Sequence, residues 1–172
     1  MLAELDDTWL ARRYYGGDLP AEAERCLHLA AAHFADTATA EGFLAHAALI
    51  APGHRLVDLG LYKFHFYKAN LVEALEYAQR MVVHALAGLG LNTPDWRDVT
   101  PAAADFASLE PPPRFFLFAL TAVGYLQLRL RRFDEARESL GKVQTLDTAG
   151  RMAAGRLLDL VDRIGQGEED EE

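Results

Sequence analysis

The sequence has only one cysteine, Cys26, among its 172 residues. A single thiol cannot form an internal disulfide or a thiolate metal cluster, so the sequence indicates neither an oxidising compartment nor a zinc scaffold. A chain of this length can bury about 70% of its unfolded surface without such crosslinks. We therefore expect one folded domain, located in the cytoplasm and stabilised by an apolar core.

The sequence also lacks a concentrated positive charge. Its 17 basic and 26 acidic residues give a formal net charge of −9, and the last five residues, all acidic, account for five of those negative charges. The 14 arginines are dispersed, whereas nucleic-acid binding requires a basic patch or stripe. Nucleic acid is therefore excluded as an expected partner.

Long apolar runs are missing as well. The longest uncharged stretch, residues 115–128, is shorter than the roughly 20 residues that cross a bilayer, and the first seven residues are acidic where a signal peptide is basic. We expect no contact with a membrane.

What the sequence does have is apolar residues at spacings of three and four, which predicts an all-α fold. A first amphipathic segment carries Leu2, Leu5, Trp9 and Leu10 and stops at the Gly16-Gly17 pair. Further helices are predicted at about 20–35, 39–50, 54–68, 70–87, 114–130, 133–146 and 148–164, with a short one opening at residue 100.

The pattern repeats along the chain. The offset that relates Ala40 to Ala74 also relates Leu27 to Leu61. This offset matches the period of about 34 residues that is typical of the tetratricopeptide helix pair. Ala136 follows Ala74 by more than one period and less than two, so an insertion separates the second copy from the third.

With this period and with the small residues Ala40, Ala74 and Ala136 at matching positions, the chain resembles the tetratricopeptide repeat family. The resemblance implies a right-handed superhelix of antiparallel helix pairs, with flanking helices at both ends, in a single domain spanning residues 1–165. The repeats would span residues 21–54, 55–88 and 117–150, separated by an insertion at 89–116. Residues 148–164 would form a capping helix, followed by an acidic disordered tail at 166–172.

The resemblance also implies a concave groove lined by the first helix of each repeat. Its lining residues would be Arg25, Leu29, His33, Lys63, Phe66, Tyr67, Phe118, Tyr125 and Arg129. Cations mixed with aromatic rings suit a protein or peptide partner with acidic and apolar side chains. Three alternatives stay open: the insertion or the N-terminal helix covers the rings, two copies associate through them, or the acidic tail occupies the groove.

No catalytic constellation is present in the sequence, and we expect no cofactor and no metal. Glu24 and His28 share a helix face, but one pair is too few for a metal site. His65 is expected on the face that packs against the paired helix, and Cys26 is expected to be a buried thiol. The rival hypothesis is a small metal-dependent enzyme with His28, His33 and His65 near one cavity.

Three stretches, at residues 62–68, 94–96 and 113–118, are similar to uncharacterised repeat proteins of nitrogen-fixing bacteria. The tetratricopeptide resemblance implies an adaptor or chaperone-like interaction module, and because no catalytic constellation is present we expect that it is not an enzyme. The second resemblance offers an accessory role in nitrogenase assembly or regulation as an alternative. A chain of this size with three such repeats is also similar to chaperones of type III secretion translocators, although the insertion is unusual for them.

Overall fold

The computed structural model describes residues 18–169, which form seven α-helices and two short 3₁₀ helices. No strand occurs in this range, so the predicted all-α class is confirmed. The α-helices are α1 (Ala21–Ala32), α2 (Thr37–Ile50), α3 (Arg55–Tyr67), α4 (Leu71–Gly88), α5 (Pro111–Arg129), α6 (Phe133–Leu146) and α7 (Ala154–Glu169). The 3₁₀ helices are Trp96–Asp98 and Pro101–Ala103.

The chain divides into two compact units between Gly60 and Leu61, inside α3. In the first unit, α1 and α2 form an antiparallel hairpin. Glu22 at the start of α1 lies 3.0 Å from His46 near the end of α2. Asp36 begins α2 by accepting a hydrogen bond from the backbone N–H of Thr39 at 3.2 Å, the usual role of an N-cap aspartate.

In the second unit each helix from α4 to α7 packs against the next in sequence. At Gly124 the contact between α5 and α6 leaves no room for a side chain, because an added Cβ atom would lie 2.6 Å from Cγ of Leu140. The absence of a side chain at Gly124 therefore lets the two helices approach. The C-terminal helix covers α6 through an apolar cluster that includes Leu140 and Val161.

The turns that join α3 to α4 and α5 to α6 have the same geometry. Ala69 and Arg131 adopt left-handed φ values of 59° and 61°. The following residues, Asn70 and Arg132, donate their N–H groups to the carbonyls of His65 and Gln127, each at 2.9 Å. Arg131 follows Ala69, and Arg132 follows Asn70, by the same number of residues that separates Ala136 from Ala74. The two helix hairpins are thus alike in their connections as well as in their apolar spacing.

Residues at matching repeat positions are also buried alike. Ala40, Ala74 and Ala136 have no exposed surface. Four positions further along, Leu44, Ala78 and Leu140 are buried as well. Small residues at such contacts allow two helix axes to approach closely.

The insertion between α4 and α5 is attached to α6. Arg97 donates two hydrogen bonds to the Glu138 carboxylate of α6, at 2.5 and 2.8 Å. Lys142 of α6 donates to the carbonyl of Val99 at 2.7 Å, and Arg151 donates to the carbonyl of Ala107 at 2.6 Å. These bonds fix the insertion to α6 and to the loop that follows it.

Several predicted boundaries are wrong. The capping helix begins at Ala154 and not at residue 148, because Asp147 accepts the N–H of Met152 at 2.8 Å and holds residues 148–152 in a turn. The same helix passes through Gly165 and reaches Glu169, so residues 166–169 are helical where disorder was expected.

The three prolines at 111–113 form the first turn of α5, where missing N–H groups cost nothing, and do not precede the helix as predicted. The predicted N-terminal helix and the end of the acidic tail, residues 170–172, lie outside the described residues.

Candidate partner-binding surface

The nine predicted groove residues fall into both units of the chain. Lys63, Phe66, Tyr67, Phe118, Tyr125 and Arg129 belong to the second unit, and Arg25, Leu29 and His33 belong to the first. All nine are partly or fully exposed. Each group is described here within its own unit.

In the second unit, α3 and α5 bring five aromatic rings into mutual contact. Tyr62 meets Phe118 edge to face, with ring centroids 6.2 Å apart, and Phe66 lies 5.9 Å from Tyr125. Along α3, Phe66 contacts Tyr62 at 5.6 Å and Tyr67 at 5.4 Å. These distances lie within the range of favourable aromatic pairs. We call Tyr62, Phe66, Tyr67, Phe118 and Tyr125 the aromatic cluster.

The aromatic cluster runs from the core to the surface. Tyr62 is only 3% exposed, whereas Phe66, Phe118 and Tyr125 are half-buried and Tyr67 is 45% exposed. Tyr62 therefore anchors the cluster, and Tyr67 presents its ring to solvent. Tyr67 is exposed with the insertion in place, and the alternative that the insertion covers the other rings stays a prediction. The other proposed cover, the N-terminal helix, lies outside the described residues.

A cation borders the exposed side of the cluster. Arg129, at the end of α5, donates to the Tyr125 hydroxyl at 3.0 Å, and its guanidinium carbon lies 5.8 Å from the centre of that ring. The side chain is exposed. Because a guanidinium has five N–H donors, this bond leaves others able to meet a carboxylate. Lys63 lies on α3 and is half-buried.

The tetratricopeptide pattern also assigns other residues to the groove, but some of these are not accessible to a partner. Leu56, Leu59, Thr121 and Leu128 are all buried, and the Thr121 hydroxyl donates to the carbonyl of Leu117 within its own helix. These side chains stabilise the fold and are not available to a partner. The accessible part of the surface is therefore narrower than the family pattern implies.

In the first unit, Arg25 and Leu29 line an open cavity of about 460 Å³ between α1 and α2, which we call the hairpin groove. Its other lining residues are Glu22, Cys26, Thr39, Gly42, Phe43 and His46. His33 stacks at a tilt on Phe43, with ring centroids 5.7 Å apart. These three predicted residues are thus associated with a groove formed by one hairpin.

The histidines proposed as metal ligands each have a different neighbour. His28 pairs with Glu24 at 3.6 Å, and His65 stacks on Tyr77 of α4 at 5.6 Å with its ring nearly parallel. The expected packing of His65 against the paired helix and the buried state of Cys26 are confirmed. Within residues 18–169, no group of three His, Cys, Asp or Glu side chains could hold a metal ion.

The sequence prediction missed two parts of these surfaces. Tyr62 was not assigned to the groove, although its spacing of four from Phe66 places both rings on one helix face. The contribution of α2, through Phe43 and its neighbours, was also missed because the family pattern selects only the first helix of each pair.

Comparison with known proteins supplies one relative. An uncharacterized 19.8 kDa protein in the nifW 5′ region of Azotobacter chroococcum mcd 1 is 37% identical over 126 residues, which cover 72% of this chain and 70% of the relative. The chain belongs to the family of that protein. The expected resemblance to uncharacterised proteins of nitrogen-fixing bacteria is supported by this relative, whose name places it in a nitrogen-fixation gene region. No family model matches the chain, and no solved structure matches it.

No helix in the described part of the chain is both long and apolar enough to cross a membrane.

Proposed function

We propose that the chain is a tetratricopeptide-type interaction module, an adaptor or chaperone-like protein that binds a partner segment on the aromatic cluster. The observation that carries the proposal is the exposed Tyr67 ring, continuous with half-buried Phe66 and Tyr125 and bordered by Arg129. Tyrosine and arginine are among the residue types that contribute most to binding energy at protein interfaces. The repeat period and the two matching turns support the family assignment.

The aromatic rings and the cation of this surface indicate which side chains the partner carries. An apolar side chain of the partner packs on the rings of Phe66 and Tyr67, and an acidic side chain meets the guanidinium of Arg129. A hydrogen bond to a charged group contributes about 1.5 to 3 kcal/mol. The partner is therefore a segment with apolar and acidic residues close together, as the sequence predicted. Self-association through the same rings is the alternative.

The first prediction tests this surface. Arg129→Glu and, separately, Tyr67→Ala should each reduce partner capture from an extract of the native host, because they remove the charge and the most exposed ring. Arg156→Glu on α7 is the matched control, since Arg156 is also exposed and basic. Quantitative mass spectrometry should find proteins that wild type and Arg156→Glu retain and the other two variants lose. Identical captured sets for all four proteins would contradict the proposal.

Self-association needs its own measurement. Sedimentation of the wild type and Tyr67→Ala across a concentration series distinguishes the two occupants of the surface. A heterologous partner predicts equal masses for both proteins. A wild-type dimer that Tyr67→Ala dissociates would assign the cluster to a second copy of the chain.

We propose as a second function an accessory role in nitrogen fixation. It is supported by the relative, whose name places it in the nifW 5′ region. The second prediction is that deleting the gene from its host slows growth on dinitrogen and leaves growth on ammonium unchanged. Complementation with wild type should restore growth, and complementation with Arg129→Glu should not. Equal growth of the deletion strain on both nitrogen sources would refute this role.

A further inference from the structure

Three arginines surround the turn between α5 and α6. Arg129 ends α5, Arg131 occupies the left-handed position of the turn with a φ of 61°, and Arg132 directly precedes α6. All three residues are exposed. We call these residues the arginine turn. Because the chain as a whole has a formal net charge of −9, the arginine turn is a local region of the opposite sign.

Two of the three guanidinium groups lie against aromatic rings. The guanidinium carbon of Arg129 is 5.8 Å from the centre of the Tyr125 ring, and that of Arg131 is 5.8 Å from the centre of the Phe133 ring. The attraction between a cation and a ring uses no N–H donor, and a guanidinium has five of them. The rings therefore help to position both cations and leave N–H donors for the oxygen atoms of a partner.

Carboxylates of the described chain leave two of these cations available. Asp134, which follows Arg132 closely in sequence, accepts a hydrogen bond from Arg137 at 3.0 Å. In the part of the chain that the structure describes, neither Arg129 nor Arg132 forms an ion pair with a carboxylate. An acidic partner can therefore meet both side chains without displacing a carboxylate of that part of the chain.

We propose that the arginine turn binds a run of adjacent carboxylates in the partner segment. The proposal rests on the proposed function and extends it, because Arg129 donates a hydrogen bond to Tyr125 and so joins the arginine turn to the aromatic cluster. A segment that docks an apolar side chain on the cluster presents its neighbouring residues to the arginine turn. Those neighbouring residues are acidic in the partner we propose.

The placement of the cations favours several carboxylates over a single phosphate group. Arg129 lies against a ring of α5, whereas Arg131 lies against a ring of α6. Each guanidinium has a planar fork of N–H donors that fits one carboxylate in a bidentate arrangement. A row of acidic side chains can supply one carboxylate to each fork, whereas a single phosphate would require the forks to converge on one point.

Two synthetic peptides test the charge preference. Both contain a phenylalanine, followed by four glutamates in one peptide and by four glutamines in the other. Fluorescence anisotropy of the labelled peptides, titrated with the full chain at low salt, should show about tenfold tighter binding of the glutamate peptide. High salt should reduce this preference, because it screens exposed charges. Equal affinities of the two peptides at low salt would overturn the proposal.

Variants of the arginine turn test whether the preference arises there. Arg132→Gln and Arg131→Gly should each weaken binding of the glutamate peptide about threefold to tenfold and leave the glutamine peptide unchanged. Glycine suits the left-handed backbone of residue 131, and circular dichroism checks that both variants stay folded. Arg156→Gln on α7 is the matched control, because it removes an exposed arginine elsewhere. A glutamate preference that both arginine-turn variants retain would overturn the proposal.

A third peptide and a ring variant separate the other outcomes. If a peptide with one phosphoserine among the glutamines binds more tightly than the glutamate peptide, the arginine turn recognises phosphate and the proposed run of carboxylates is wrong. Tyr67→Ala should weaken the glutamate and glutamine peptides by the same factor. If Tyr67→Ala changes neither affinity while the arginine-turn variants still abolish the glutamate preference, the proposed function of the aromatic cluster fails and the carboxylate preference stands.

Discussion

At the residue scale, Gly124 and Gly141 show that the same residue type has opposite roles in one hairpin. A Cβ atom at Gly124 would lie 2.6 Å from Cγ and 2.7 Å from Cδ2 of Leu140, whereas one at Gly141 would meet no atom of the described residues within 4 Å. Gly124 is therefore required by packing. Gly141 only weakens its helix.

The third prediction follows from this difference. Gly124→Ala should lower the free energy of unfolding by about 1 to 3 kcal/mol, because Leu140 and the backbone around it must move. Gly141→Ala should raise it by up to about 1 kcal/mol, since alanine favours the helix. Urea denaturation of the two variants measures both changes. Equal stability of both variants would show that the α5–α6 contact is looser than described.

Residue contacts also decide which arginines can serve as controls. Arg137 and Arg151 look like ordinary surface residues in the sequence. In the structure, Arg137 bonds to Asp134 and Asp162, and Arg151 holds the insertion through the carbonyl of Ala107. Reversing either charge would disturb the fold. Arg156 is the better control for binding experiments for this reason.

At the scale of helices, the buried alanines test whether the repeat register governs packing. The fourth prediction is that Ala74→Leu and Ala136→Leu each cost about 1 to 3 kcal/mol through overpacking, since both side chains have no exposed surface. Ala87→Leu, at an exposed position of α4, is the control and should have little effect. Thermal denaturation measures the three variants. If both variants melt at the wild-type temperature, the predicted repeat register is wrong.

The insertion is attached to α6 by an ion pair between Arg97 and Glu138. Hydrogen bonds from Arg97 hold the pKa of the Glu138 carboxyl below its ordinary value, and the backbone N–H of Arg97 is the main cause of the lowered pKa of Asp95. A carboxyl whose pKa is lower in the folded protein stabilises it above the unfolded-state pKa. That contribution is lost as the pH falls through the lower, folded-state value.

The fifth prediction is therefore a pH dependence. Glu138→Gln should reduce stability at neutral pH by less than about 1 kcal/mol, because the pair is half exposed and screened by water. The difference from wild type should disappear in acid, once Glu138 is protonated in both folded and unfolded chains. Glu76→Gln on α4 is the control. A difference that persists unchanged at low pH would mean that the effect is not electrostatic.

At the scale of the whole molecule, local spacing in the sequence predicted most of the helices. The boundaries of α6 at residues 133 and 146 and the all-α class follow from apolar periodicity and from Gly and Pro positions. The prediction failed at α7, because the turn before it depends on a hydrogen bond from the Met152 N–H to Asp147 that no periodicity reveals. It also failed at Gly165, where packing of the helix outweighs the preference of glycine for a helix end.

The sequence by itself determined the class, the repeat period and the kinds of residue available for binding, because helix formation and close helix contacts depend on neighbours three and four positions apart. Only the tertiary structure decided which residues at repeat positions reach solvent. Leu56 and Tyr67 occupy groove positions in one helix, yet the first is buried and the second is 45% exposed. The attachment of the insertion likewise depends on Arg97 and Glu138, which are distant in sequence and meet only after the helices have packed.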